Sequence, residues 1–99
     1  MRSLKRTLTF ILLLSTANLA FAETNEVIAQ AEKLHAEAKA MHHAWVPTAR
    51  SLSEAKTALA AGDTARAAQA AERARFLAEA SVKQARTELE NWKRRQLVK

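Results

Sequence analysis

Beginning at Val27, apolar residues recur at Val27, Ala31, Leu34, Ala38, Met41 and Trp45, with steps that alternate four and three. Glu26, Glu32, Lys33, Glu37 and Lys39 lie mostly off that line. A mean step near three and a half keeps one narrow stripe on one side of a helix. The spacing therefore predicts a long helix whose covered face ends at Trp45. A second stripe follows the same rule through Ala67, Ala71, Ala74, Ala78, Val82, Ala85, Leu89 and Trp92. Nothing alternates with period two for long enough to make a strand, so the fold class is all-α.

Between the stripes stands Leu59-Ala-Ala-Gly-Asp-Thr64. Gly62 can take the left-handed backbone that ends a helix, and Asp63 can accept hydrogen bonds from the first free amides of the next one. Such a tight turn makes its arms antiparallel neighbours. The predicted fold is an antiparallel hairpin with one arm from about 25 to 61 and the other from about 64 to 95. Pro47 interrupts the first arm. Inside a helix it removes an amide and crowds the carbonyl of His43, whereas at a helix start it is comfortable. Ser51-Leu-Ser-Glu54 also has the pattern of a helix-starting capping box. A break or kink near Val46 is expected, dividing the arm into segments of about 25–44 and 48–61. The result is either two long helices with a bent first arm or a three-helix arrangement, with Gly62, Asp63 and Pro47 as its structural turn residues.

Composition sharpens this picture. Residues 23–99 contain twenty alanines but one glycine and one proline, which sums to strong helix propensity. Alanine seams let helix backbones approach closely yet bury little area per residue. The chain has no cysteine, so neither a disulfide nor a thiolate metal site staples it.

The first 22 residues follow a different logic. Arg2, Lys5 and Arg6 precede an uncharged apolar run from Leu8 into Leu14, and small residues end in Ala20-Phe21-Ala22. This is the layout of a secretory signal peptide, with cleavage expected after Ala22 and a periplasmic, soluble product. The run is shorter than the roughly 20 residues that span a bilayer. Export changes the meaning of the charge. The formal net of +6 loses the three leader cations, residues 23–92 are close to neutral, and Lys93, Arg94, Arg95 and Lys99 make a basic end. The expected organisation is a leader over 1–22, an alanine-rich hairpin over 23–95 and a tail end over 96–99. The basic residues suit weak contact with an anionic surface or an acidic protein. Export argues against nucleic acid.

Candidate chemistry is sparse. His35 and His42 share a face but are about 10.5 Å apart along a helix, and His42 and His43 point about 100° apart, so neither pair grips one ion. Ser51, Ser53 and Ser81 have no histidine at helical spacing to serve as base. Glutamates sit near basic residues, as Glu79 does to Arg75 and Lys83, in the manner of surface ion pairs. The sequence points to no catalysis, cofactor or metal. Trp45 and Trp92 are the candidates for partner contact, because tryptophan is enriched at binding hot spots. Both also end alanine stripes, where an indole can simply cap a thin core.

Trp45-Val-Pro-Thr48, then Ala55, then Ala61-Gly62-Asp63 with Ala67, Ala71 and Ala74 spaced behind it, resembles the small periplasmic SoxXA-binding proteins. The likeness covers about residues 31–85. It implies a non-enzymatic accessory that docks on a haem-containing SoxXA-type cytochrome and supports thiosulfate oxidation, with Trp45 and Thr48 as the carried-over contact residues. The competing class is a generic cell-envelope helical protein that binds another helix, a membrane surface or itself.

Overall fold

The computed structural model describes the backbone of residues 2–98 and the side chains of residues 19–97. It consists of α1 (Arg2–Ala40), α2 (Val46–Ala60) and α3 (Thr64–Val98), with no strand among the described residues. The side chains of the leader's apolar run, Leu8 to Leu14, lie outside the described set. No helix, among the described residues, is long and apolar enough to cross a membrane.

Two helix ends use one solution. At the end of α2, Gly62 has φ of +81°, its amide donates to the Leu59 carbonyl at 3.1 Å, and the Asp63 amide donates to the Ala58 carbonyl at 2.9 Å. That is a Schellman closure, in which a left-handed residue lets two amides reach back to otherwise unpaired carbonyls. Asp63 then starts α3, accepting the Arg66 amide at 3.2 Å through its carboxylate. The end of α1 repeats the motif with His42 at φ of +60°, the His42 amide on the Lys39 carbonyl at 3.1 Å and the His43 amide on the Ala38 carbonyl at 2.8 Å.

The second closure turns the expected bend into a full reversal. Gln30 accepts from Arg75, Glu37 pairs with Arg86, and His43 pairs with Glu88. Residue numbers on α1 and α3 rise together along this series, so the two helices run parallel. α2 runs back antiparallel to both and packs mainly on α3, with Glu32 of α1 held by Lys56 at 2.7 Å and Glu54 held by Arg66 and Arg73. The three-helix arrangement is therefore the one adopted. Pro47 sits in the first turn of α2, where its missing amide costs nothing. Ser51 lies inside α2 and is buried, so it starts no helix.

Alanine makes the core. Among the described residues thirteen apolar ones are buried, of which ten are alanine and Ile28, Leu52 and Val82 are the large ones. Ile28 and Ala31 of α1 meet Leu52 and Ala55 of α2 over Ala70, Ala71 and Ala74 of α3, with Val27 and Leu59 at the edge. The second stripe is buried from Ala67 to Ala85 but Leu89 and Trp92 are exposed. α1 ends at Ala40 and the chain turns back, so no described element covers α3 beyond that level. The tail is not separate: α3 continues through Arg95 to Val98.

The two closures predict opposite responses. A Cβ at Gly62 would meet nothing within 4 Å, so Gly62→Val acts through φ alone and destabilises by about 1 kcal/mol or more. His42→Gly relieves the same strain and stabilises by about 0.5 kcal/mol or more. Urea unfolding followed by circular dichroism should move the two midpoints in opposite directions. Loss of stability in His42→Gly would contradict the left-handed closure at the end of α1.

Candidate functional site

Where the α1–α2 joint meets the far part of α3, the surface forms an open groove of about 630 Å³. Met41 and His43 form one side, and Ala85, Glu88, Leu89, Asn91, Trp92 and Arg95 of α3 form the other. Its position follows from chain geometry. The α1 seam ends in Met41 just as the backbone leaves the helix, while the α3 seam continues from Ala85 in steps of four and three to Leu89 and Trp92.

The groove's lining mixes the apolar Met41, Ala85, Leu89 and Trp92 with the polar His43, Glu88, Asn91 and Arg95. Leu89 is 47% exposed and Trp92 52% exposed, values at which large apolar area faces water. His43 Nε2 stands 3.4 Å from a Glu88 carboxylate oxygen and ties the joint to α3. Arg95 closes the distal side. Such a surface can seat an apolar side chain or a short helix against an indole. It offers no nucleophile beside a base.

The residues read from the sequence divide between this groove and the joint. Trp92 lies in the groove and caps no core, because the first arm never reaches it. Trp45 is half-buried and does not line the groove; its backbone, at φ −97° and ψ 136°, is the residue from which α2 starts. The Trp45 carbonyl accepts the amides of Thr48 at 3.2 Å and Ala49 at 3.4 Å. Thr48 corrects the expectation most sharply. It is fully buried, and its hydroxyl has no hydrogen-bond partner among the described residues, so it does not cap α2 and presents no surface in this fold. The spacing of Trp45 and Thr48 is that of one first helical turn. Gly62 and Asp63 stand at the turn between α2 and α3, whereas Pro47 lies within the first turn of α2, after the reversal at His42.

Met41, His43, Glu88 and Leu89 are site residues that the sequence did not single out. The signal was present in the second stripe, which has two rungs more than the helices can cover. The histidines are dispersed: His42 makes a turn, His43 pairs with Glu88, and His35 carries a buried Nδ1 without a partner among the described residues. Among those residues no group of three or more His, Cys, Asp or Glu side chains is placed to hold a metal ion. Ser81 spends its hydroxyl on the Ala78 carbonyl at 2.9 Å. Within α3, Arg75 pairs with Glu72 at 2.6 Å and not with Glu79. Compared with family models, curated proteins and solved structures, the chain matches none.

The buried hydroxyl gives a direct test of what Thr48 does. An unpaired buried hydroxyl costs free energy that a methyl of the same shape does not. Thr48→Val should therefore leave stability unchanged or raise it by about 1 kcal/mol, read from the thermal midpoint. A clear loss would mean that the hydroxyl is engaged and that the packing around the start of α2 differs.

Proposed function

We propose that the chain is an exported, non-enzymatic accessory protein that docks another protein in the groove between the α1–α2 joint and the end of α3. The observation that carries this reading is the uncovered pair Leu89 and Trp92, which prolongs a seam used elsewhere in the molecule to pack helices. A half-exposed indole beside a leucine, ringed by polar groups, has the make-up of a binding hot spot. The partner inferred from the resemblance around Trp45 and Thr48 is a haem-containing SoxXA-type cytochrome, with support of thiosulfate oxidation as the role. In this reading the likeness marks a shared joint at the start of α2, and Trp92 provides the contact.

Export to the periplasm rests on the leader pattern ending at Ala22. Its support from the fold is positional. Among the described residues the first buried one of α1 is Thr24, while Leu19 and Phe21 are exposed, so cleavage after Ala22 leaves every described buried residue in place.

Calorimetric titration against a SoxXA-type cytochrome separates the contributions. Trp92→Ala should weaken binding at least tenfold with helix content unchanged, since truncating a hot spot commonly costs about 2 kcal/mol and tenfold needs only about 1.4. Trp45→Ala should lower the thermal midpoint while binding persists. The reverse pattern would move the contact to Trp45 and the joint. Absence of binding by the unaltered protein would dismiss the cytochrome.

A further inference from the structure

The basic end of the chain has no part in the bundle, yet it is helical. Every residue from 86 to 97 is exposed, and α3 carries them away from the last buried position, Ala85, to Val98. Arg86 and Glu88 still pair with Glu37 and His43, so at 1.5 Å per residue the part beyond them, 89–98, is about 15 Å long. Around it, at about 100° per residue, Leu89, Trp92 and Leu97 fall within an arc of about 140°, with Lys93 and Gln96 between them. Leu97 is 85% exposed, the most of the large apolar residues described. Arg94 and Arg95 stand to either side of this arc.

We propose that this projecting part of α3 is an anionic-membrane contact, lying in the plane of a phospholipid surface with Leu89, Trp92 and Leu97 in the interface and Lys93, Arg94 and Arg95 among the headgroups. Charge complementarity selects this occupant. From residue 93 to the end there are four basic residues and no acidic one. Glu88, which faces His43 at 3.4 Å, and Glu90, at the edge of the arc beside Leu97, are the two nearby carboxylates, so over residues 86–99 five basic side chains stand against two acidic ones. Basic residues in a last turn also complement the helix dipole, but that effect asks for no exposed tryptophan or leucines beside them. An amphipathic helix with lysine and arginine around an apolar face that includes tryptophan is what binds a bilayer interface. A second copy of the chain is the poorer occupant, because a rod of about three turns falls short of the roughly 800 Å² per partner of a stable protein interface. The inference goes beyond protein docking and does not depend on it, although Trp92 stands at both surfaces and a docked partner would compete with lipid for it.

The test uses the full chain with Trp45→Phe, so that Trp92 is the sole indole, and vesicles of phosphatidylcholine with or without about one third phosphatidylglycerol. The anionic vesicles should bind the protein and shift Trp92 emission to shorter wavelengths. Lys93→Gln, Arg94→Gln and Arg95→Gln together should weaken binding at least tenfold, as should about 0.5 M salt. Leu97→Gln, which keeps every charge, should reduce both the binding and the shift. An apolar leader that inserted by itself would bind regardless of the tail charges and leave the Trp92 emission where it was. That outcome, or equal binding to neutral vesicles, overturns the proposal.

Discussion

The close approach of α1 and α2 to the alanine face of α3 is the constraint on which everything else depends. Each alanine contributes only a methyl, on the order of 1 kcal/mol at most when buried, so the seam succeeds through number and proximity. The surrounding ion pairs do not substitute for it. Glu32 with Lys56, Glu37 with Arg86 and Glu54 with Arg66 and Arg73 are all at the surface, where such pairs contribute about 0–1 kcal/mol each. Their consistent order fixes the register of helices that the seam holds together. Ile28 and Leu52 are the large side chains of the cluster over Ala70, Ala71 and Ala74. Beyond it Ala38, Ala78, Val82 and Ala85 are the buried apolar residues, smaller groups.

A seam of this kind has to be interrupted by sharp turns, and their chemistry decides the topology. The turn at Gly62 is legible because glycine is the residue that positive φ favours, and Asp63 behind it is a recognisable cap. The turn at His42 has the same geometry without the signature. Histidine reaches the left-handed region at a cost, and nothing in its neighbours announces that it does so. The proline at the second position of the next helix did mark a discontinuity. It could not distinguish a kink from a reversal, because the first turn of a new helix and a mid-helix break share the same local residues. The all-α class, the second stripe as far as Ala85 and the turn at Gly62 were thus readable, whereas the first stripe missed Ile28 and ran past the end of α1 at Ala40 to Trp45, and the parallel pairing of α1 with α3 required long-range contacts.

The same asymmetry applies to the candidate site. Trp92 was visible as an unusual residue, and its stripe was visible too. Whether it was core or surface depended on where α1 stops, which is a consequence of His42. Thr48 illustrates the converse: a polar residue two positions beyond a tryptophan-valine pair reads as a contact, but the start of α2 at Val46 carries it to the inside. A helix face that outruns its cover is thereby left as apolar surface, and the groove and the projecting basic rod are two views of that single excess length.

The central claim is that α1 folds back and runs parallel to α3, placing Gln30 beside Arg75. A simply bent hairpin would instead carry Gln30 towards the far end of α3. The chain has no cysteine, so spin labels can be attached at introduced pairs without background. Dipolar distance measurement between Gln30→Cys and Arg75→Cys, compared with Gln30→Cys and Gln96→Cys, is the most direct test. The parallel arrangement predicts a short first distance and a second longer by about 30 Å, the rise of 21 residues. A short distance from 30 to 96 and a long one from 30 to 75 would contradict it.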